Sequence, residues 1–150
     1  MQVLDYFSEP QSEKWLAQIA QCDWGAGVYL HELLVSGELL RLCGSTTRVL
    51  LLVDGDVLAG FCTLAEQDDI QPTPLTPWVG FLYIYPPYRG HRHAGRLLSA
   101  AEAQALAQGA SSLYISTTHV GLYEKYGYHF LANHPDISGE PSRIYEKRMR

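Results

Sequence analysis

Between Tyr88 and Arg96 the chain reads Tyr-Arg-Gly-His-Arg-His-Ala-Gly-Arg, which sets Arg89, Arg92 and Arg96 around Gly90, with His91 and His93 between them. That pattern suits an anion. The first turn of a helix carries unpaired backbone N–H groups and a partial positive charge, so it can hold a phosphate with no side chain at all. Here the arginines add charge, and Gly90 lets the backbone approach a bulky diphosphate or take a positive φ. Ala94 is small where a phosphate oxygen comes closest. A solvated basic helix start explains the same residues about as well, and the density of positive charge in an acidic chain tilts the balance to anion binding. The signatures G-x-x-x-x-G-K-[ST] and G-x-G-x-x-G are both absent, which disfavours a nucleotide triphosphatase or a dehydrogenase. His91-x-His93 would offer two metal ligands in an extended chain, but a helix start breaks that geometry and no third ligand is evident, so no metal is expected.

A second group of residues could move protons. Glu66, Asp68 and Asp69 follow an apolar run, and His119 lies just past another. Loop acids are usually only solvated, and a histidine at a strand end is more often structural than catalytic, although its intrinsic pKa suits a base. Tyr123 by itself reads as a packing residue in a chain with 10 tyrosines.

These residues need elements to position them. Val3 and Leu4 start a short β-like run, and Ser8-Glu9-Pro10-Gln11 reads as a capping box opening a helix. That helix carries Trp15, Leu16, Ile19 and Ala20 and ends before Gly25. A second helical stretch holds Val28, Leu30, Leu33 and Leu34, breaks at Ser36-Gly37, and resumes through Leu39, Leu40 and Leu42. Residues 48–53 and 57–64 are apolar runs flanking Asp54-Gly55-Asp56, a strong hairpin signal. Residues 66–77 hold three prolines and form a loop. Trp78–Tyr85 is an aromatic strand stopped by Pro86-Pro87. Ala94, Leu98, Ala101 and Ala105 then stripe one face of a helix closed by Gly109. A strand at 113–117, a short helix at 121–126 and β-like runs at 128–132 and 144–149 complete an α/β order with a largely antiparallel sheet.

Bulk properties bound the function. The 150 residues suit one domain, and 47% apolar with 18% charged residues is globular composition. A formal net charge of -5 disfavours nucleic-acid binding, which rests on phosphate neutralisation. Cys22, Cys43 and Cys62 are unpatterned and read as reduced thiols. With no signal-peptide pattern and no long apolar run, the expected place is the cytoplasm, away from membranes.

Residues 82–94, Leu-Tyr-Ile-Tyr-Pro-Pro-Tyr-Arg-Gly-His-Arg-His-Ala, resemble the acetyl-CoA-binding motif of the GNAT superfamily of N-acetyltransferases. There an apolar strand and a proline precede [Q/R]-x-x-G-x-[G/A] at a helix start. Arg89 matches the first position and Ala94 the last, while Arg92 replaces the middle glycine. Leu122-Tyr123-Glu124-Lys125-Tyr126-Gly127-Tyr128 is similar to the superfamily's downstream L-Y-E-K-x-G-[F/Y] segment, and the element order resembles that fold over essentially the whole chain. Ser116 and His119 stand where asparagine and alanine are usual.

The resemblance implies a GNAT fold, with a mixed, mostly antiparallel sheet of six to seven strands flanked by about four helices. It implies an enzyme transferring the acetyl group of acetyl-CoA to an amine. The strand at Leu82, Tyr83 and Ile84 would splay from 113–117 and bond the pantetheine arm through its backbone. Arg89, Gly90, His91, Arg92, His93, Ala94 and Gly95 would hold the pyrophosphate, and Ser116 would line the arm. Tyr123 matches the usual general acid, and a phenol of pKa ~10 stays protonated at neutral pH. The base is open between Glu66, with Asp68 and Asp69 beside it, and His119. Trp24, Tyr29, His31 and Trp78 are candidates to line the acceptor pocket. Two other readings are a CoA-binding sensor or scaffold without catalysis, and an interaction domain whose basic loop binds another phosphate. The acceptor amine is not legible, and the oligomeric state is open, a homodimer included.

Overall fold

Asp54-Gly55-Asp56 turns the chain back on itself, with Gly55 at φ +60°, and the two runs it joins pair as antiparallel strands. They are β2 (Arg48–Asp54) and β3 (Val57–Ala65), and β1 (Gln2–Asp5) adds to the outer edge of β2. The computed structural model describes residues 1–149. Beyond β3 come β4 (Trp78–Ile84), β5 (Ser112–Thr117), and the hairpin of β6 (His129–Pro135) and β7 (Pro141–Arg148). The seven strands form one sheet in the order β1-β2-β3-β4-β5-β7-β6, antiparallel except for the β4–β5 pair.

Four α-helices cover the sheet: α1 (Ser12–Ile19), α2 (Gly25–Ser36) and α3 (Leu39–Cys43) before β2, and α4 (His93–Ala107) between β4 and β5. Period-2 alternation sorts the side chains of β2 between two layers. Val49, Leu51 and Val53 pack with Trp15, Ile19, Leu30 and Leu33 of α1 and α2. Leu50 and Leu52 face Leu97, Leu98, Ala101 and Ala105 of α4. Both faces of β2 and β3 are therefore covered, which is why these strands read as unbroken apolar runs.

Three differences from the sequence reading are local, one being that the short helix expected at 121–126 is a single 3-10 turn over Tyr123–Tyr126. The first helix starts at Ser12, because Asp5 caps a single 3-10 turn at Tyr6–Ser8 through Phe7 N–H and uses up the residues of the apparent capping box. The final hairpin is longer than its apolar runs. Asp136 Oδ1 accepts from the backbone N–H groups of Ser138 (2.9 Å) and Glu140 (3.0 Å), closing a turn that extends β6 and β7 through polar residues. No helix among the described residues is long and apolar enough to cross a membrane.

Candidate active site

The site begins where β4 and β5 part. Their parallel pairing covers only Trp78↔Tyr114 and Val79↔Ile115. Beyond Val79, β4 carries a bulge: Phe61 pairs with Tyr83 and Thr63 with Gly80, so Phe81 and Leu82 together oppose Cys62. Phe81 takes φ +51° to fit, a conformation that costs a non-glycine residue roughly 1–2 kcal/mol. A bulge of this kind bends its strand and leaves one residue out of the ladder. After it, Tyr85 N–H donates to Ala59 O on β3 at 2.9 Å. By alternation, the N–H and C=O groups of Leu82 and Ile84 then point away from β3 into the opening beside β5. Ile84 O is partly engaged, accepting from Arg89 Nε at 2.8 Å.

This opening leads to a cavity of about 760 Å³, lined on the β4 side by Gly80, Phe81 and Leu82 and on the β5 side by Ser116, Thr117 and His119. Tyr123 lines it too. Its ring is wedged against Tyr128 and Tyr145, with centroids 6.3 and 6.4 Å away, and is only 6% exposed. Burial, with the Cys62 thiol nearby, raises its pKa, so the phenol keeps its proton at neutral pH. Ser116 Oγ lies 2.7 Å from Ser142 Oγ, which ties β5 to β7 at the cavity wall. The exposed His119 serves structurally through its carbonyl, which accepts from Tyr145 Oη at 3.2 Å.

At the other end of β4, Pro86–Tyr88 form a 3-10 turn, and Gly90 (φ +85°) sends the chain into α4. Arg92 is the residue before α4 and takes φ +59°, the left-handed conformation its glycine counterpart in the motif would adopt freely. Its guanidinium lies 5.3 Å from the centre of the Tyr126 ring. A second pocket, about 320 Å³, is lined by Ile84, Arg89, Gly90, Arg92, His93 and Ala94. The loop therefore forms a concave basic surface at the start of α4, continuous with Ile84 of the opening. Gly95 has a packing role, since a Cβ there would stand 2.8 Å from the Tyr126 ring.

Several expectations meet different surroundings. Arg89 is not aimed wholly outward: its guanidinium also lies over the Tyr83 ring at 5.3 Å and near Asp23, which accepts from Tyr83 Oη. His93 has a lowered pKa, chiefly from burial and then from Arg96, so it is neutral near pH 7 and adds no charge. Tyr83 is buried core, and its side chain packs on Phe61 and Trp24. Trp78 is also core, and His31 lies off the cavity, whereas Trp24 and Tyr29 do line it.

Glu66 is not brought to the site. Its carboxylate turns to the loop before β2, accepting from Thr46 N–H (3.1 Å) and Thr46 Oγ1 (2.7 Å), and those bonds hold its pKa below the ordinary value. Asp68 and Asp69, two and three residues on, do line the cavity, with Asp136, Glu140 and Ser142 of the final hairpin facing them. The sequence reading missed these last three. Their one signal was Asp136-Ile137-Ser138-Gly139-Glu140, a turn sequence between two β-like runs.

Comparison with known proteins agrees with this geometry. The family described as "Acetyltransferase (GNAT) family" matches residues 4–128. No curated protein matches the chain in sequence. Among solved structures, an aminoglycoside 6'-N-acetyltransferase complexed with coenzyme A is similar at a TM-score of 0.70 and 17% identity, covering 100% of this chain and 98% of that one. The aminoglycoside 6'-N-acetyltransferase from Enterococcus faecium has a TM-score of 0.70 at 16% identity, with coverage of 100% and 98%. An acetyltransferase from Streptococcus agalactiae has 0.67 at 19%, with coverage of 98% and 97%. At such identities the likeness concerns the fold alone. The match over residues 4–128 shows the rest: the chain belongs to the GNAT family of acetyltransferases.

Proposed function

We propose that the protein transfers the acetyl group of acetyl-CoA to a primary amine by direct attack, with Tyr123 as the general acid. The observation that carries this reading is the opening between β4 and β5. It presents the backbone groups of Leu82 and the N–H of Ile84, runs to a basic helix start at one end, and meets Tyr123 in the cavity at the other. An extended pantetheine arm would lie along β4 as an added strand, bonded to those groups. Its pyrophosphate would sit on the first turn of α4 with Arg92 beside it. The thioester is thereby carried to the bulge, where the Leu82 N–H is free to polarise its carbonyl.

The amine nitrogen attacks the thioester carbon, the C–S bond breaks, and the thiolate takes the hydroxyl proton of Tyr123. Transfer from a phenol to a thiolate is uphill, and it is completed when the Tyr123 phenolate takes the proton that the attacking nitrogen sheds in becoming the amide, so that thiol, phenol and amide all end uncharged. Acetyl-CoA is the co-substrate and no metal enters the steps. Cys22, Cys43 and Cys62 are all free thiols, which suits the cytoplasm as the enzyme's compartment.

The test is thiol release from acetyl-CoA over a panel of kanamycin, spermidine, tyramine and a lysine-containing peptide, with Tyr123→Phe alongside. The wild type should turn over at least one of these amines. The variant should lose about a hundredfold or more in kcat while its Kd for acetyl-CoA stays within about twofold. Equal turnover by the variant would remove Tyr123 from the chemistry.

A further inference from the structure

We propose that Asp68 is a catalytic residue of this site, the group that takes the proton from the acceptor as it enters in its ammonium form. The inference rests on the acetyl-transfer reading above. Asp68 lies in the loop leaving β3, and its carboxylate rests against the Cα of Gly80, where a side-chain carbon would overlap Asp68 Oδ1. Gly80 immediately precedes the bulge at Phe81, so the carboxylate stands at the point where the backbone turns towards the thioester. It shares the cavity with Tyr123, and the two reach it from different sides, one from the β3–β4 loop and one after β5. Among the described residues Asp68 has no cation paired with it, and the nearest backbone donor is the N–H of Asp69.

The carboxylates around it favour a cation. Asp69 is beside it in the same loop, and Asp136 and Glu140 share the cavity from the β6–β7 turn; the other titratable groups near it are the Cys43 thiol of α3 and, from beyond β5, His119 and Tyr123. Among the described residues no lysine or arginine lines the cavity. Asp69 Oδ1 is buried behind the wall without a hydrogen-bond partner, so the cavity holds more acceptor capacity than its own donors satisfy. Burial, reinforced by the charge of Asp69, pushes the Asp68 carboxyl up to about 7. It is thus a base at physiological pH and strong enough to hold a proton once it has one.

The steps balance. The ammonium gives one proton to the Asp68 carboxylate and becomes a neutral amine, whose lone pair bonds the thioester carbon. The C–S bond then breaks and the thiolate takes the Tyr123 hydroxyl proton. The second proton on the attacking nitrogen returns to the Tyr123 phenolate through solvent, and Asp68 releases its own to water.

Asp68→Asn and Asp68→Glu test this in two ways. In 13C NMR of aspartate-labelled protein bound to acetyl-CoA, one carboxyl should titrate with a midpoint near 7, and that signal should vanish in Asp68→Asn. In the amine assay, wild-type kcat/KM should rise through a midpoint near pH 7. Asp68→Asn should fall about a hundredfold at pH 7 and regain activity steadily to pH 9, because its amine must arrive already neutral. Asp68→Glu should recover part of the loss. An Asp68 midpoint below 5, or a pH 7 limb that persists in Asp68→Asn, overturns the assignment. Those results would leave acetyl transfer itself standing, whereas wild-type failure across the amine panel would count against the acetyl-transfer reading.

Discussion

At the scale of single residues, acids within a few positions of one another have different fates. Glu66 spends both carboxylate contacts on Thr46, so Glu66→Ala should lower Tm by about 1–3 °C, as losing one or two exposed hydrogen bonds does. It should leave kcat/KM within about twofold, since it touches no wall of the cavity. Gly80→Ala should do the reverse. A methyl there collides with the Asp68 carboxylate, so kcat/KM should fall by about tenfold or more while acetyl-CoA still binds. Kinetics and calorimetry on the same pair of variants separate the two roles. Which of the neighbouring acids points inward was not legible in the sequence, because one residue of register in an irregular loop decides it. Tyr123 is singled out only by its surrounding segment, as nothing in a tyrosine itself distinguishes a wedge in the core from a proton donor.

Elements were easier to read than sites. The β2–β3 hairpin follows from Asp-Gly between apolar runs, and α4 from its alanine stripe and closing Gly109. The β6–β7 extension was hidden because its outer residues are polar and only the Asp136 turn holds them in register. The β4 bulge was hidden too, since Gly80-Phe81 looks like any strand interior until Phe81 must take a positive φ. The departure at Arg92 has a physical reading in the structure. Its φ of +59° is the conformation of the missing glycine, retained at a cost of roughly 1–2 kcal/mol. Arg92→Gly should therefore keep Tm within about 2 °C, as relief of strain offsets the loss of a cation over Tyr126. Its Kd for acetyl-CoA should weaken about fivefold, the worth of one exposed charge contact of roughly 1 kcal/mol. Unchanged affinity would show that the backbone alone holds the phosphates.

For the whole molecule, a chain of net charge -5 concentrates positive charge at the start of α4 and negative charge in the cavity. The two ends of one continuous opening thus carry opposite fields, which suits the proposed cofactor end and acceptor end. Acetyl-CoA affinity should fall as salt rises from 50 to 500 mM, because the phosphate contacts are exposed and screened. The enclosed acid of the cavity couples to stability. The folded protein holds the Asp68 proton up to about pH 7, whereas the unfolded chain releases it near 4. Stability resting on the neutral acid is therefore lost as pH rises from about 4 to about 7. Asp68→Asn should raise Tm at pH 8 and change it little at pH 4, as thermal melts at the two pH values would show.

The claim on which the rest depends is that acetyl-CoA lies in the opening between β4 and β5 with its pyrophosphate on the first turn of α4. An amide-resolved 1H–15N NMR titration with acetyl-CoA tests it most directly. The largest shifts should fall on Leu82, Ile84, His93 and Ala94, with little change along β1 and β6. Saturable binding that leaves those four amides unmoved, or moves residues on the far face of the sheet instead, would contradict it.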